Sequence, residues 1–511
     1  MYKRRWVAGL IVLPLMACSQ LDVIHPPGND NNLENHPLLA DITERLLNVT
    51  GAEESLTARW WQSFNDPVLN ELVELALTNN FSLQASLARI EQSAALLRVD
   101  ASGQYPELNL QAGRSRVENS ALSSGRVSNN WSAGLNASYE IDFWGSVAAA
   151  RDQGEFELSA TQSAARIQAN TVASQVSNAW YGYLKESRQL ELLMQQKQRV
   201  ESGLKAINAR FQRGRSQVSD VWQQQSLLES IEADVFRTKS RRDIFRNQLQ
   251  LWLGAAVSAD QVADALQAAL NRADQTLLPV VLPEHRTAVS LQAISERPDV
   301  QQAWFDVLAA NAGVAIAEAN RYPRFTLTAS YSGQDPDFGN VFDDWVSNVA
   351  ANLVLPLIDG GERRARVAAQ QALLQQTLAD YQQTLLDAAD EVQQQLIREQ
   401  EYLGLDASLN KQLELERKTQ SFQASRYAKG VGDFLSLLTS QRDVLSLERQ
   451  VLENQLSAVQ SRIGLYQAVS HGRFLLDSLT SDSLTPKPST SRPKPSMSTS
   501  LKSQSEDNVS S

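Results

Sequence analysis

The chain has 511 residues, with 47 Lys or Arg against 58 Asp or Glu, a formal net charge of −11, one Cys and four His. That acidity argues against nucleic-acid binding, which needs a concentrated cationic surface, and a lone Cys excludes a disulfide framework or a thiolate metal cluster. After residue 17 no apolar run reaches the ~18 residues that a membrane helix needs, an exclusion that covers helices only.

In chain order, Lys3, Arg4 and Arg5 precede an apolar run from Trp6 to Ala17, the pattern of a signal peptide over residues 1–17. Its end, Leu15-Met16-Ala17-Cys18, resembles the bacterial lipobox, which implies cleavage before Cys18 and acylation of that residue. The alternative is an ordinary cysteine of a cleaved signal. Several acyl chains on one residue, at about 0.8 kcal/mol per buried CH2, make a durable anchor. Residues 18–55, rich in Asn, Asp, Pro and Gly, read as an acylated arm, and residues 471–511, dominated by Ser, Thr, Pro and Lys, read as a disordered tail.

Between arm and tail the prolines leave two long free tracts, Glu107 to Leu278 and Leu357 to Thr485, filled with strong helix formers. Apolar residues recur there at coiled-coil spacing, as in Leu374, Leu378, Tyr381, Leu385, Ala388 and Val392. A helix from Ser146 to Arg213 would be on the order of 100 Å long, which a globular domain of this size cannot hold. The unit is also doubled. Tyr105-Pro106 recurs as Tyr322-Pro323, Asp142 as Asp359, and RFQRG (210–214) as RYAKG (426–430), at offsets of 217 and then 216. The predicted repeats are 56–278 and 279–470.

Each repeat interposes two alternating segments between helices, predicted as strands at about 107–118 and 131–142, and at about 324–334 and 345–356. Leu108, Leu110 and Ala112 face opposite to Asn109, Gln111 and Gly113; Trp131, Leu135, Tyr139 and Ile141 face opposite to Ser132, Asn136 and Asp142. An amphipathic hairpin on a soluble core would alternate equally well. A wet lumen suits the small polar face, and aromatics near strand ends suit membrane interfaces. Four strands cannot close a lipid-embedded sheet, and open edges are not tolerated in lipid, so a spanning barrel must be shared between chains.

The lipobox, the doubled strand-hairpin and helix unit, YEIDFWG (139–145), PLIDGGERRA (356–365) and the tips RFQRGRSQVSDVWQQQ and RYAKGVGDFLSLLTSQR together resemble the TolC/OprM-like outer-membrane factors, in their lipoprotein branch serving resistance-nodulation-division pumps. The resemblance covers roughly Trp60 to Val469. It implies a mainly α chain in a homotrimer, with a shared twelve-stranded transmembrane β-barrel and a twelve-helix periplasmic tunnel. It further implies a lipid-anchored protein of the cell outer membrane with a periplasmic adaptor (membrane fusion) protein and an inner-membrane pump as partners. Through this duct small molecules such as drugs and toxic compounds would leave the cell passively.

At the inner tips, Gly214 and Gly430 are expected to end the long helices and Gly432 to loosen the turn, with basic Arg213, Arg215 and Lys429 beside them at the adaptor-contacting end. Beyond the second turn Leu435, Thr439 and Arg442 share a helix face, read as lining a pore constriction. Ser436 and Thr439 stand where relatives often carry acids, which leaves Asp220, the counterpart of Ser436, to supply an acidic ring with Arg442 as its intersubunit partner. A solvated helix end is the plainer reading of each.

No P-loop, G-x-S-x-G elbow or H-E-x-x-H occurs, and His25, His36, His285 and His471 form no ligand cluster, so the sequence offers no enzyme chemistry, cofactor or metal site. Two alternatives remain beside the efflux duct: the duct of a type I protein secretion system, and a periplasmic adaptor or structural coiled-coil lipoprotein.

Overall fold

The structure is a computed structural model that describes residues 59–119, 126–254 and 291–470. Cys18, the signal segment, the arm, the four histidines and the C-terminal tail lie outside the described residues.

A single 3-10 turn, Trp60–Phe64, opens the described chain, followed by α1 (Pro67–Asn79) and α2 (Phe81–Ser102). Asp66 caps α1, accepting from the Val68 and Leu69 amides at 3.0 and 3.1 Å, while Pro67 needs no partner at the first helical position. Its second oxygen accepts from Trp180 Nε1 at 2.7 Å, so one carboxylate starts α1 and fastens it to the next long helix. Asn80 repeats the device for α2, accepting from Ser82 and donating to the Trp252 carbonyl at 2.9 Å. Trp60 and Trp61 are fully buried, and Trp60 stacks on Tyr466 at 5.9 Å.

Strands β1 (Glu107–Asn119) and β2 (Arg126–Ile141) lead to α3 (Ser146–Gln212) and α4 (Val218–Leu253). After the short α5 (Leu291–Ser295), the second repeat supplies α6 (Pro298–Ala319), β3 (Arg324–Asp335), β4 (Trp345–Val354), α7 (Glu362–Ala428) and α8 (Phe434–Val469). Helices α3 and α7 have 67 residues each, and α4 and α8 have 36 each. The duplication therefore reaches the length of every long helix. A 67-residue helix extends on the order of 100 Å.

The sheet is antiparallel in the order β1-β2-β3-β4, with β1 and β4 as open edges. Its register aligns the two faces across all four strands. Leu110 stands opposite Leu135, which stands opposite Tyr331, while Asn109, Asn136, Ser330 and Asn348 form one polar row. Strand β2 begins at Arg126, five residues before the predicted 131, and β4 ends at Val354 rather than 356. Arg126-Val127-Ser128-Asn129-Asn130 pairs with β1 but carries no apolar alternation, so periodicity is silent there. At the other end Pro356 cannot donate to a ladder.

The helices pack in a row, α4 on α3, α3 on α8 and α8 on α7. One core joins Tyr381, Leu385, Ala388 and Val392 to Ile294, Val307 and Leu465 near the middle of the molecule. A second joins Val200, Ile207, Leu227 and Ile231 to Phe434, Leu438 and Leu445 near the turns. Leu378 is the exception in the predicted α7 seam, remaining exposed.

Candidate functional site at the paired helix turns

The two turns that join α3 to α4 and α7 to α8 are built alike. Gly214 has φ +68° and Gly430 φ +75°. In the first turn the Gly214 amide donates to the Phe211 carbonyl at 2.8 Å and the Arg215 amide to Arg210 at 2.9 Å; in the second, Gly430 donates to Tyr427 and Val431 to Arg426, both at 3.1 Å. This is a Schellman close, which places its C′ residue in the left-handed region that glycine enters without steric cost. Gly432 acts differently from the expected loosening. Its φ is not positive, and a Cβ there would lie 2.9 Å from the Arg426 Cβ and 3.0 Å from the Tyr427 amide nitrogen. The glycine admits a close approach of the chain to the helix it has just left.

Helix starts follow at once. Asp220, three residues into α4, accepts from the Gln217 amide at 3.1 Å. In the second turn Asp433 is the N-cap, accepting from the Ser436 amide at 2.8 Å and from its hydroxyl at 2.7 Å. Those donors, the backbone amide first, hold the Asp433 carboxyl below the usual carboxylate range.

Arg210 and Tyr427 fasten one hairpin to the other. The guanidinium donates to the Tyr427 carbonyl at 3.1 Å and lies 4.5 Å over its ring, which in turn meets Phe434 at 5.6 Å. Burial, the largest cause, raises the Tyr427 hydroxyl pKa.

Of the residues singled out from sequence, Leu435, Thr439 and Arg442 lie exposed on one face of α8. Asp220 and Ser436 are half-buried and engaged in their own helix starts. Arg213, Gly214, Arg215, Lys429 and Gly430 are exposed at the turns, with Gly432 half-buried. Sequence reading missed the Arg210–Tyr427 contact, although both residues lie inside the duplicated RFQRG and RYAKG segments. The signal available was that duplication, which places both beside a turn.

At the opposite end, the sheet shows one large apolar face. Leu108, Leu110, Val349 and Leu353 are each at least 60% exposed. Aromatics collect at both ends of the strands. Tyr331 stacks on Trp345 at 4.5 Å and Trp131 meets Phe338 at 5.1 Å, while Trp144 stacks on Tyr322 at 4.5 Å and Phe143 meets Phe325 at 4.7 Å. The two clusters are separated by the six residue steps from Phe325 to Tyr331, roughly 20 Å of strand. This suits a lipid-facing band between interfacial girdles. Among the described residues no helix is long and apolar enough to cross a membrane, and no group of three or more His, Cys, Asp or Glu is placed to hold a metal.

An amphipathic four-stranded sheet with aromatic borders, carried on paired 67-residue helices, is the chain fold of outer-membrane channel proteins. The chain belongs to the outer membrane efflux protein family, whose profile matches residues 72–255 and 289–471, one block for each repeat. It is the outer-membrane component of an efflux system.

Curated relatives include the pyoverdine export outer membrane protein OpmQ of Pseudomonas aeruginosa, 28% identical over 84% of this chain and 90% of that protein. The toluene efflux pump outer membrane protein TtgI of Pseudomonas putida is 26% identical over 80% and 86%. Among solved structures, a membrane protein from Pseudomonas aeruginosa superposes with a TM-score of 0.72 at 27% identity, covering 80% of this chain and 95% of that one. The transmembrane channel protein CusC superposes with a TM-score of 0.73 at 23% identity, over 82% and 96%, a likeness of fold.

Proposed function

We propose that three copies of this chain assemble into one passive duct. Their sheets supply a twelve-stranded barrel in the outer membrane, and their helices supply a twelve-helix tunnel that narrows at the paired turns. The observation that carries this reading is the sheet itself, whose apolar and polar faces are in register over four strands while both edges stay open. Unpaired strand edges cannot face hydrocarbon, and four strands are too few to close. Other copies must therefore complete the barrel.

Cys18 carries the acyl anchor on the outer-membrane side. Leu435, Thr439 and Arg442 line the narrow end, where an apolar ring gates by dewetting and Arg442 gives the ring its charge. The exposed basic turn residues Arg213, Arg215 and Lys429, with Gly214, Gly430 and Gly432, meet a periplasmic adaptor, which couples the duct to an inner-membrane pump. The cargo is small molecules, in keeping with relatives named for pyoverdine export and toluene efflux.

Purified in detergent, the wild-type protein should migrate as a heat-labile trimer and take up labelled palmitate in cells. Cys18→Ala should keep the trimer and lose the label. A protein that is monomeric in detergent would overturn the shared barrel, and an unchanged label in Cys18→Ala would overturn the anchor.

A further inference from the structure

The apolar face of β1 changes character along the strand. Leu108, Leu110 and Ala112 are followed on the same side by Arg114 and Arg116, because alternate residues of a strand share a face. At the 217-residue offset the second repeat carries Phe325, Leu327 and Ala329, then Tyr331 and Gly333. Both repeats thus keep the apolar part of the strand, whereas the two arginines belong to the first repeat alone. Both arginines are exposed. A cation facing hydrocarbon is costly at the bilayer midplane and nearly free of cost at its border, so such a pair is tolerated only near a headgroup layer.

The strand places them there. Arg114 and Arg116 lie seven and nine residues beyond Glu107, where β1 begins after α2, roughly 24 and 31 Å along an extended strand. With the tilt of barrel strands, about 40°, this becomes about 18 and 23 Å of height, at the far border of an apolar band about 25 Å tall. Arg114 stands opposite Trp131 in the register, and its guanidinium carbon is 4.9 Å from the centre of that ring. Trp131 meets Phe338 in the aromatic cluster remote from the long helices, so Arg114 lies within that girdle and Arg116 just beyond it. Among the described residues neither guanidinium forms an ion pair or donates a hydrogen bond. Asp335, on the same face at this level, is two strands away, roughly 10 Å, and already accepts from the Asp337 amide at 2.8 Å.

We infer that Arg114 and Arg116 bind the phosphates of a phosphorylated glycolipid in the outer leaflet of the outer membrane. The inference rests on the membrane-embedded barrel proposed above and adds a lipid site to its outward face. The outer leaflet of such a membrane is built from sugar-based lipids that carry phosphates in the headgroup, at the level where these arginines stand. Each guanidinium offers a planar fork of donors that matches a phosphate. Directly below them, exposed Leu110 and Ala112 present apolar strand surface to acyl chains, which a soluble phosphate would leave unused.

The test is native mass spectrometry of the full acylated protein in detergent, freed of co-purified lipid. It is titrated with bisphosphorylated lipid A, the same lipid without phosphates, phosphatidylglycerol and inorganic phosphate. Lipid A should bind the trimer more tightly than its dephosphorylated form, and Arg114→Gln with Arg116→Gln should weaken it about tenfold or more while the trimer mass persists. Arg114→Lys with Arg116→Lys, which keeps both charges, should retain most of the binding. Trimers that bind both forms of lipid A equally, or a double Gln variant that binds as the wild type does, would overturn the site and leave the barrel standing. Phosphatidylglycerol bound as tightly as lipid A, or displacement of lipid A by inorganic phosphate, would overturn the glycolipid as occupant. Monomers in detergent would overturn the barrel and the lipid site together.

Discussion

The two helix turns share a backbone and differ in chemistry. Gly214 and Gly430 have the same left-handed conformation and close the same pair of hydrogen bonds. The capping acid, however, is Asp220 at the third residue of α4 in one turn and Asp433 at the N-cap of α8 in the other. The equivalent arginines also part ways. Arg210 crosses to the other hairpin at Tyr427, whereas Arg426 turns back to the Val431 carbonyl of its own turn at 3.1 Å. Duplication has preserved what the backbone requires and left side chains free to take up different partners, so long as each helix start keeps one carboxylate near its amides. This bears on the pore. The acid inherited at Asp220 already serves its helix, which makes the Leu435, Thr439 and Arg442 face the stronger candidate for the constriction.

The largest effect that would sharpen this contrast lies along the hairpins. Arg462 on α8 is ion-paired with Glu399, both nearly buried, while its repeat counterpart Arg246 lies 3.7 Å from Asp243 with both side chains 43% exposed. Arg462→Ala should destabilise by about 3–5 kcal/mol, because it strands a buried carboxylate, and Arg246→Ala by less than about 1 kcal/mol. Denaturant unfolding of the detergent-solubilised protein reads both. Equal losses would break the contrast.

Next in size, Gly214→Ala and Gly430→Ala should each cost about 1–2 kcal/mol, since an L side chain is strained at those φ values. The two losses should agree within a few tenths. Clearly unequal shifts in the thermal midpoint would show that the turns are not equivalent. Arg210→Met should cost about 1 kcal/mol through the lost ring contact and hydrogen bond, and Arg426→Met, whose bond is exposed, should cost less.

The smallest effect is in pH. The Asp433 carboxyl titrates below its ordinary value in the folded protein, so its cap is fully present above the unfolded value, about 3.9, and is lost as pH falls through the lower folded value. Amide exchange at Ser436, corrected for its intrinsic pH dependence, should therefore quicken only in acid, and Asp433→Asn should remove that pH dependence. Exchange in Asp433→Asn that still quickens in acid as the wild type does would contradict the cap.

Much of this was legible in the sequence. Alternation exposed the two faces of the strands, proline-free tracts exposed the long helices, and the 216-residue offset exposed the paired turns. What escaped notice depends on distance in space. Arg210 and Tyr427 are 217 residues apart, and neither local pattern points to the other. Gly432 reads as a flexible residue until the neighbouring Arg426 Cβ is seen at 2.9 Å from its missing side chain. Arg126 to Asn130 pair as strand without alternating, because the main-chain ladder to β1 needs no apolar period. Leu378 fits the heptad of α7 and yet is exposed, since periodicity marks an apolar position without stating which partner covers it.

Single-channel recording in planar bilayers tests the central claim most directly. Purified, membrane-inserted protein should conduct in discrete steps, and replacing Thr439 and Arg442 by Ala should change their size. Inserted trimers that stay electrically silent, or steps unchanged in size in that double variant, would contradict in turn the duct and its proposed narrow end.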